Sequence, residues 1–561
     1  MATRRAGDRH GGQVVVEQLR RHGCRRVYTV PGESFLAVLD GLHDANDIET
    51  IVCRQEGGAA MMAEAHGKLT GEPGVCLVSR GPGCTNASAG LHIAQQDSTP
   101  LLLIVGQVPR SMLGREAFQE MDLVQFFTPL AKWVVQVEDA DRIPEYMRQA
   151  YCRATAGRPG PVALIFPEDI LSQLVAAAEV APYRRTVSRC GIDDMEAVLQ
   201  VLEKAERPLA LIGGPGWSQA SADHLATFAQ RNSLPVAATF RCQDYFDNTH
   251  PCYVGDVGLG INPELAQRVR DADLILAIGA RLGEATTSGY TLLEPPVPRQ
   301  RLIHVHPAGE ELGRVYQPTV AVQADSAEFV AELGRCDLAD SRRWRSWLES
   351  ARRDYEQWIV PQKTPGACRL EDIVTCLREE LSTDAIITNG AGNYAAWVHR
   401  YFQYRRYGTQ LAPRSGSMGY GLPAAVAAKL QHPDRPVICF AGDGCYMMHG
   451  QELATAVQYG ANIVVIVANN GLYGTIRMHQ EKRFPGRIVA TKLTNPDFAA
   501  LARSYGAFGA TVERSEDFAA VFAQAVAAEK PALIELRTDP EASTPRITLT
   551  GLQSNQPNPR V

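Results

Sequence analysis

The sequence lacks any long apolar run. Its longest uninterrupted hydrophobic stretches, such as residues 101–105 and 463–468, have six residues or fewer, whereas a membrane-spanning helix needs about 20. The first nine residues are basic, but no apolar segment follows them, so no signal peptide is predicted. We therefore expect a cytoplasmic protein with no membrane partner.

The sequence also lacks an excess of charge and any pairing of its cysteines. It has 56 basic and 62 acidic residues, a net charge of −6, so no nucleic-acid partner is expected. The 13 cysteines are scattered without a C-x-x-C pair, so neither a disulfide framework nor a zinc site is predicted. The motifs G-x-G-x-x-G and G-x-x-x-x-G-K-[ST] are absent as well, which argues against a nucleotide-binding oxidoreductase, the alternative from a different functional class.

What the sequence does contain is a repeated alternation of short β-branched runs with longer amphipathic stretches, a pattern typical of βαβ units. We predict an α/β fold with three doubly wound parallel-sheet domains. A polar linker is expected near 182–191, and the charged stretch 337–356 is predicted to be a solvated helix and connector. The predicted domains are 10–181, 192–340 and 366–545, followed by a polar, mobile tail at 546–561.

One pattern in the third domain points to specific chemistry. Gly442-Asp443-Gly444 follows an apolar strand, and Asn469-Asn470 ends the next one, with 24 residues (445–468) between them. This spacing fits one βαβ crossover, so Asp443 and Asn470 are expected at the same edge of a sheet. A carboxylate, an amide oxygen and a backbone carbonyl suit a hard cation such as Mg²⁺, with positions left for diphosphate oxygens.

This pattern is similar to the thiamin diphosphate (ThDP) motif, and residues 13–540 resemble the acetolactate synthase-like group of ThDP enzymes, with its pyruvate oxidase, decarboxylase and benzaldehyde lyase types. The resemblance implies a pyrimidine-binding, a middle Rossmann-like and a diphosphate-binding domain, in that order. It also implies a homodimer or homotetramer with active sites between subunits. The most specific matching stretches are 30–40, 54–60, 81–86, 106–109, 117–122 and 416–425.

The resemblance also assigns roles to residues. Glu56 matches the catalytic glutamate, which meets N1′ of the aminopyrimidine so that its 4′-imine takes the proton from the thiazolium C2. Gly416 and Met418 match the clamp that bends the cofactor, with the carbonyl of Gly416 on the 4′-amino group. Asp443, Asn470 and the backbone carbonyl of Leu472 match the Mg²⁺ ligands. Further matching cofactor-binding positions are Ala391, Gly392, Asn393, Tyr394, Gly444, Cys445, Tyr473 and Gly474.

The substrate side is matched less completely. Phe118 and Gln119 resemble pocket residues of acetolactate synthases, Lys132 matches a lysine of that pocket, and Gly83 is expected to line the channel. After Asn470 the sequence departs from those enzymes, which leaves the acceptor substrate open. Thr475, Met478 and His479 occupy the positions at which acetolactate synthases carry Met, Gln and Trp. We keep Thr475 and His479 as substrate candidates.

We therefore expect a ThDP- and Mg²⁺-dependent carboligase that decarboxylates a 2-oxo acid such as pyruvate and joins the product to an acceptor. A 2-oxo-acid decarboxylase, a benzaldehyde-lyase-type enzyme and a 2-hydroxyacyl-CoA lyase are the alternatives with the same cofactor. An inactive regulatory homologue is disfavoured by the intact Glu56, Asp443 and Asn470. Bound FAD is an open but disfavoured expectation, because residues 279–285 differ from the Arg-Phe-Asp-Asp pattern of FAD-using members. His304 and His306, on one face of a strand, are expected to be structural.

Overall fold

The computed structural model describes residues 9–339 and 342–554. Three six-stranded sheets, in each of which every pairing is parallel, confirm the predicted α/β fold. Parallel strands require crossover helices, which cover both faces of each sheet and so bury the apolar strands. The N-terminal residues 1–8 and the end of the predicted tail, 555–561, lie outside the described residues. Within the described part of the chain, no helix has the length and apolar character needed to cross a membrane.

The N-terminal sheet has the strand order β3-β2-β4-β5-β7-β6. Every residue of its strands β4, β5 and β7 is buried. Its elements, in chain order, are β1 Arg9–His10, α1 Gly11–Arg21, β2 Arg26–Thr29, α2 Leu36–His43, β3 Glu49–Val52, α3 Glu56–Thr70, β4 Gly74–Val78, α4 Pro82–Asp97, β5 Leu101–Gln107, α5 Leu123–Phe127, β6 Trp133–Gln136, α6 Ile143–Thr155, β7 Pro161–Pro167, α7 Glu168–Ser172 and β8 Leu174–Val175.

The middle sheet has the order β11-β10-β9-β12-β13-β14. Its last helix, α12, lies in the charged stretch that was predicted to be solvated, and that prediction is wrong in part. Leu348, Ala351 and Tyr355 recur at helical spacing and are buried, so one face of α12 packs onto the core. The elements are α8 Ile192–Glu203, β9 Pro208–Ile212, α9 Gln219–Asn232, β10 Val236–Ala238, β11 Tyr253–Asp256, α10 Pro263–Asp271, β12 Leu274–Ile278, β13 Arg301–Val305, β14 Val320–Val322, α11 Ser326–Leu333 and α12 Arg345–Trp358.

The C-terminal sheet has the order β16-β15-β17-β18-β20-β19. Its elements are α13 Leu370–Glu380, β15 Ile386–Asn389, α14 Ala395–Tyr401, β16 Gln410–Leu411, α15 Gly421–Gln431, β17 Val437–Gly442, α16 Asp443–His449, α17 Glu452–Gln458, β18 Val464–Asn469, α18 Gly474–Arg483, α19 Phe498–Ser504, β19 Phe508–Val512, α20 Phe518–Ala527, β20 Ala532–Arg537, β21 Ala542–Thr544, β22 Ile547–Thr548 and α21 Leu549–Ser554.

Within the predicted mobile tail, residues 547–554 form regular structure, which differs from the expected irregular segment. β22 pairs with β21 in an antiparallel hairpin, and Leu549 at the start of α21 is buried. The side-chain amide of Gln553 donates to the Glu481 carboxylate in α18 over 2.9 Å. These contacts hold the tail on the third domain despite its polar composition.

The chain divides into two compact units, and the division differs from the predicted domains. The second unit holds the middle and C-terminal sheets, whereas Val426–Pro433 and His449–Ala461 belong to the first unit with the N-terminal sheet. In that first unit, the Tyr459 hydroxyl accepts the N–H of Val52 (2.8 Å) and lies 3.1 Å from the carbonyl oxygen of Thr50. Two segments of the predicted domain 366–545 are thus bound to the first sheet.

Candidate active site

A cavity of about 260 Å³ lies in the second unit at the carboxyl edge of the C-terminal sheet. Open α/β sheets bind ligands at this edge. All thirteen C-terminal positions matched to the cofactor line the cavity, so the structure brings them together. They are Ala391, Gly392, Asn393, Tyr394, Gly416, Met418, Asp443, Gly444, Cys445, Asn470, Leu472, Tyr473 and Gly474.

Asp443 lies between β17 and the cavity, with only 2% of its surface exposed. One carboxylate oxygen accepts the N–H of Gly444 (2.9 Å), and the other accepts the N–H of Gly471 (2.9 Å) and the side-chain amide of Asn495 (2.7 Å). Burial raises the pKa of Asp443, and these three donors oppose that rise. The carboxylate is therefore fixed in orientation.

Asn470 and Leu472 lie in a tight turn after β18. The N–H of Leu472 donates to the side-chain oxygen of Asn470 over 3.0 Å, and Gly471 between them has φ +69°, a conformation that favours glycine. The N–H of Tyr473 donates to the carbonyl of Thr491 (2.8 Å). The loop is thereby held, and the N–H of Gly471 binds it to the Asp443 carboxylate.

Tyr394 and Cys445 form another part of the cavity wall. The Tyr394 hydroxyl accepts the N–H of Gly390 (3.1 Å) and lies 3.3 Å from the Cys445 sulfur, which accepts the N–H of Gly419 (3.2 Å). A Cβ at Gly442 would lie 3.0 Å from the Tyr394 ring. Small residues are therefore required where this wall meets the strand.

At the mouth of the cavity, α18 presents Thr475 and Ile476. The Thr475 hydroxyl donates to the side-chain oxygen of Asn393 (2.8 Å), whose amide donates to the Ser543 hydroxyl (3.2 Å). His479 on the same helix is exposed and does not line the cavity. Its assignment to a substrate site stays a prediction.

Glu56 is the first residue of α3 in the first unit and is half-buried. The side-chain amide of Asn86 in α4 donates to its carboxylate over 2.9 Å. A Cβ at Gly83 would lie 3.3 Å from the other carboxylate oxygen. Gly83, matched to the channel, therefore keeps the space in front of Glu56 open.

Phe118 and Gln119 lie beside the residues 80–81 that precede α4. The Arg80 guanidinium donates to the carbonyl oxygen of Phe118 (3.1 Å) and pairs with Glu168. A Cβ at Gly81 would lie 2.9 Å from the Cβ of Gln119, and the Phe118 side chain is 75% exposed. The structure thus gathers these two substrate candidates with Gly83 and Glu56.

Lys132 lies apart from that group in the first unit, and its assignment to the substrate pocket stays a prediction. It precedes β6, at the amino edge of the sheet, whereas Glu56 and Gly83 follow the carboxyl ends of β3 and β4. Its ammonium donates to the carbonyl oxygens of Ala156 and Arg158 (2.8 Å for the latter). Lys132 therefore stabilises the end of α6.

The Gly-rich turn after β9 in the middle domain is filled by the chain's own side chains. Trp217 donates to the carbonyl of Gly213 (2.9 Å), and Tyr245 donates to that of Gly214 (2.8 Å). The His304 ring lies 2.9 Å from the carbonyl oxygen of Ala280, and His306 accepts the N–H of Ala308 (3.1 Å). Both histidines thus have backbone partners, as a structural role requires.

Several site residues were missed by the sequence analysis. Asn495 contacts Asp443 but has no motif spacing that would reveal it. The apolar and hydroxyl-bearing parts of the wall come from distant segments, so no local signal marks them. They are Thr364, Pro365, Cys368, Leu370, Trp397, Ala468, Ile476, Thr538, Ala542 and Ser543.

The donor set fits a hard divalent cation and a diphosphate. The oxygen atoms available are the Asp443 carboxylate, the Asn470 amide oxygen and the Leu472 carbonyl, which suit Mg²⁺. No cluster of three or more His, Cys, Asp or Glu side chains able to hold a metal occurs among residues 9–339 and 342–554. Gly416, at φ +68°, has no atom within 4 Å of the position that a Cβ would take, so its backbone is open to a ligand.

Comparisons with known proteins agree with this geometry. Three family models cover most of the chain in the predicted order. The N-terminal TPP binding domain of thiamine pyrophosphate enzymes matches residues 9–126, their central domain 195–333, and their C-terminal TPP binding domain 390–536.

Curated relatives match over nearly the whole chain. An acetolactate synthase large subunit of Parasynechococcus marenigrum is 32% identical over 94% of this chain and 87% of the relative. The large subunit of acetolactate synthase isozyme 2 of Escherichia coli is 30% identical over 94% of this chain and 96% of its own length. A Haemophilus influenzae acetolactate synthase large subunit is 30% identical over 90% of both chains.

Proposed function

Because the chain belongs to the thiamine pyrophosphate enzyme family and is an acetolactate synthase-like, ThDP-dependent carboligase, we propose that it decarboxylates a 2-oxo acid such as pyruvate. The remaining two-carbon unit is then joined to an aldehyde or ketone acceptor. The observation that carries this proposal is the cavity that gathers all thirteen matched C-terminal positions at one sheet edge.

We infer that Asp443, Asn470 and the Leu472 carbonyl hold Mg²⁺ against the cofactor diphosphate. The charge of the buried carboxylate and the neutral oxygen donors suit this ion, and the N–H groups at the start of α18 have no partner within the helix. When bound, ThDP supplies the nucleophilic carbon and the electron sink for breaking the bond to the substrate carboxylate. Gly416 and Met418 would accept the aminopyrimidine and keep the two rings bent.

Glu56 would hold a proton at N1′ of the aminopyrimidine, in a site shared between subunits of a homodimer or homotetramer. Asn86 fixes the carboxylate by donating to one oxygen, so the other stays available to the ring nitrogen. The absent Cβ of Gly83 leaves the approach open. A positioned carboxyl group of this kind contributes about 10²–10⁴-fold to a proton transfer.

The wall of the cavity would exclude water from the reacting carbon. Leu370 and Trp397 are buried and present apolar surface to the cavity. A dry site strengthens the electrostatic contacts made inside it and prevents side reactions. Thr475 and the exposed His479 are the residues we assign to the acceptor side, and FAD has no part in the proposal.

A donor and acceptor screen tests the reaction. The purified protein is incubated with ThDP, Mg²⁺ and a panel of 2-oxo acids, each with and without aldehyde and ketone acceptors, and products are identified by mass. We expect pyruvate to be consumed with a carbon–carbon ligation product. Release of a free aldehyde alone would favour a simple decarboxylase, and an absence of CO₂ from every 2-oxo acid would contradict the proposal.

Glu56→Gln tests the catalytic assignment. The amide cannot pass a proton to N1′, so hydrogen exchange at C2 of bound ThDP should slow at least about 100-fold while ThDP affinity is retained. Exchange is followed by NMR after acid quench, and affinity by calorimetry. The matched control is Glu145→Gln, at an exposed glutamate of α6 in the same unit. An unchanged exchange rate in Glu56→Gln would remove the assignment.

A further inference from the structure

A second glutamate of the first unit, Glu452, contacts the backbone of the two residues that precede Glu56. Its side chain is fully buried. One carboxylate oxygen, Oε1, accepts the backbone N–H groups of both Arg54 and Gln55 at 3.0 Å each. The other oxygen, Oε2, accepts the Thr455 hydroxyl at 2.6 Å and also the N–H of Arg54 at the longer distance of 3.3 Å.

These two N–H groups belong to the residues immediately before Glu56, where α3 begins. The first turn of a helix has N–H groups without partners inside the helix, and the residues that bind nearby groups fix where the helix starts. Gln55 completes this arrangement by accepting the N–H of Gly58 with its side chain (3.1 Å). The direction in which Glu56 leaves the backbone is therefore set by contacts to Glu452 and Gln55.

Close packing reinforces the same contact. A Cβ at Gly58 would lie 2.6 Å from Oε1 of Glu452, so the helix and the buried carboxylate touch without a gap. The carboxylate of Glu56 itself is held from the other side by Asn86. Asn86 thus fixes the side chain of Glu56, and Glu452 fixes the backbone that precedes it.

We propose that Glu452 is a positioning residue for Glu56, a role that rests on the proposed function of Glu56. Glu452 touches neither the cofactor nor the substrate in this role. It supplies one oxygen to two consecutive N–H groups and so holds the Glu56 carboxyl where it can reach a ring nitrogen. A misplacement of about 1 Å in such a group can cost about 100-fold in rate.

Substitutions of Glu452 can distinguish the effect of its hydrogen-bond acceptor from the effect of its negative charge. Because both N–H groups bind Oε1, Glu452→Gln keeps this acceptor and should keep the turn. Glu452→Asp keeps the charge but shortens the side chain by one methylene, which withdraws the acceptor. Glu452→Ala removes the acceptor of both N–H groups, which loses these hydrogen bonds. The expected order of function is wild type, Gln, Asp and then Ala.

The first readout is amide hydrogen exchange in the protein without cofactor. Peptides that cover residues 54–58 should exchange at the wild-type rate in Glu452→Gln and at least about tenfold faster in Glu452→Asp, because a lost hydrogen bond of about 1.4 kcal/mol corresponds to a factor of ten. Gln458→Ala is the matched control. It removes a contact from the same helix to the Arg54 side chain (2.6 Å) and leaves both backbone bonds intact.

The second readout is steady-state kinetics of the holoenzyme. We expect kcat to fall about 10–100-fold in Glu452→Asp and Glu452→Ala, with KM for the 2-oxo acid and ThDP affinity within about threefold of wild type. Glu452→Gln should recover most of kcat. Faster exchange with unchanged kcat would overturn the proposal, as would a Gln variant as impaired as Asp.

Glu56→Gln, measured in parallel, separates the two hypotheses. If Glu56→Gln is impaired and the Glu452 variants are not, the positioning role alone is wrong. If Glu56→Gln is unimpaired, the catalytic assignment of Glu56 is wrong and the positioning role falls with it. If Glu452→Ala does not fold, the comparison of Gln with Asp gives the same decision.

Discussion

Asp443 shows how single residues prepare the cavity for a cation. Its carboxylate is buried, and burial disfavours the charged form. Asn495 bridges it to the side-chain oxygen of Asn469 (2.9 Å), and the Asn469 amide donates to Glu535 (2.6 Å). This chain of polar side chains fixes the carboxylate, and a bound cation would compensate its charge.

Asp443→Asn should weaken Mg²⁺-dependent ThDP binding at least about tenfold. The amide has the same shape but lacks the charge that a divalent ion needs. Calorimetric titration of ThDP at fixed Mg²⁺ measures the change, with circular dichroism to verify the fold. Asn495→Ala, which keeps the charge and removes only one donor, should lose less affinity. Equal losses in both variants would point to a structural role.

Whether a site residue could be predicted depended on its distance in sequence from the other residues of the site. Asp443 and Asn470 were predictable because one βαβ crossover links them, and their matched positions do line one cavity. Asn495 was not, because it reaches Asp443 from a loop with no regular period. Lys132 was matched from a short local similarity and lies at the other edge of the sheet from Glu56, so its role in the pocket stays a prediction.

At the scale of elements, the turn from β17 to α16 depends on glycine for space. A Cβ at Gly444 would lie 2.5 Å from the Tyr473 ring, which is closer than atoms can approach. Tyr473 in turn is held by its N–H bond to Thr491. The strand end, the helix start and the loop after β18 therefore fit together only without that side chain.

Gly444→Ala should accordingly lower the free energy of unfolding by about 1–3 kcal/mol through overpacking and weaken ThDP binding. Thermal unfolding and calorimetry measure both effects. Gly283→Ala is the matched control in the same unit, because no atom lies within 4 Å of its Cβ position. Near-wild-type stability of Gly444→Ala would mean that Tyr473 moves aside freely.

The strands themselves were predictable from short apolar runs, since buried parallel strands are apolar on both faces. The association of helix α17 with the first sheet was not. Glu452 contacts Arg54 across nearly 400 positions of sequence, and no local pattern encodes a contact of that range. The packing of α12 was misjudged because its many charged residues were given more weight than the apolar residues that recur at helical spacing.

At the scale of the whole molecule, buried histidines link stability to pH. Burial lowers the pKa of His22 and His66 to about 4 and that of His399 to about 3, against about 6.5 in an unfolded chain. Between pH 6.5 and 4 the unfolded chain binds protons at these sites and the folded chain does not. Their contribution therefore lowers stability as the solution is acidified.

His66→Gln should make stability less sensitive to acid. The difference in Tm between pH 7.5 and pH 5 should be smaller in this variant than in the wild-type protein, because one site of up to about 2 kcal/mol at pH 5 is removed. Differential scanning fluorimetry at both pH values measures it. His224→Gln, at an exposed histidine, should leave the difference unchanged. An unchanged difference in His66→Gln would show that its ring is protonated in the folded state.

The inclusion of His449–Ala461 in the first unit also constrains how this chain can be dissected for expression. A fragment that ends after the N-terminal sheet, near residue 186, would contain Glu56 but not Glu452, so the N–H groups of Arg54 and Gln55 would lose their acceptor. Fragment complementation or domain exchange with a relative should therefore carry residues 426–433 and 449–461 together with the first sheet. The unit of exchange in this protein is discontinuous in sequence.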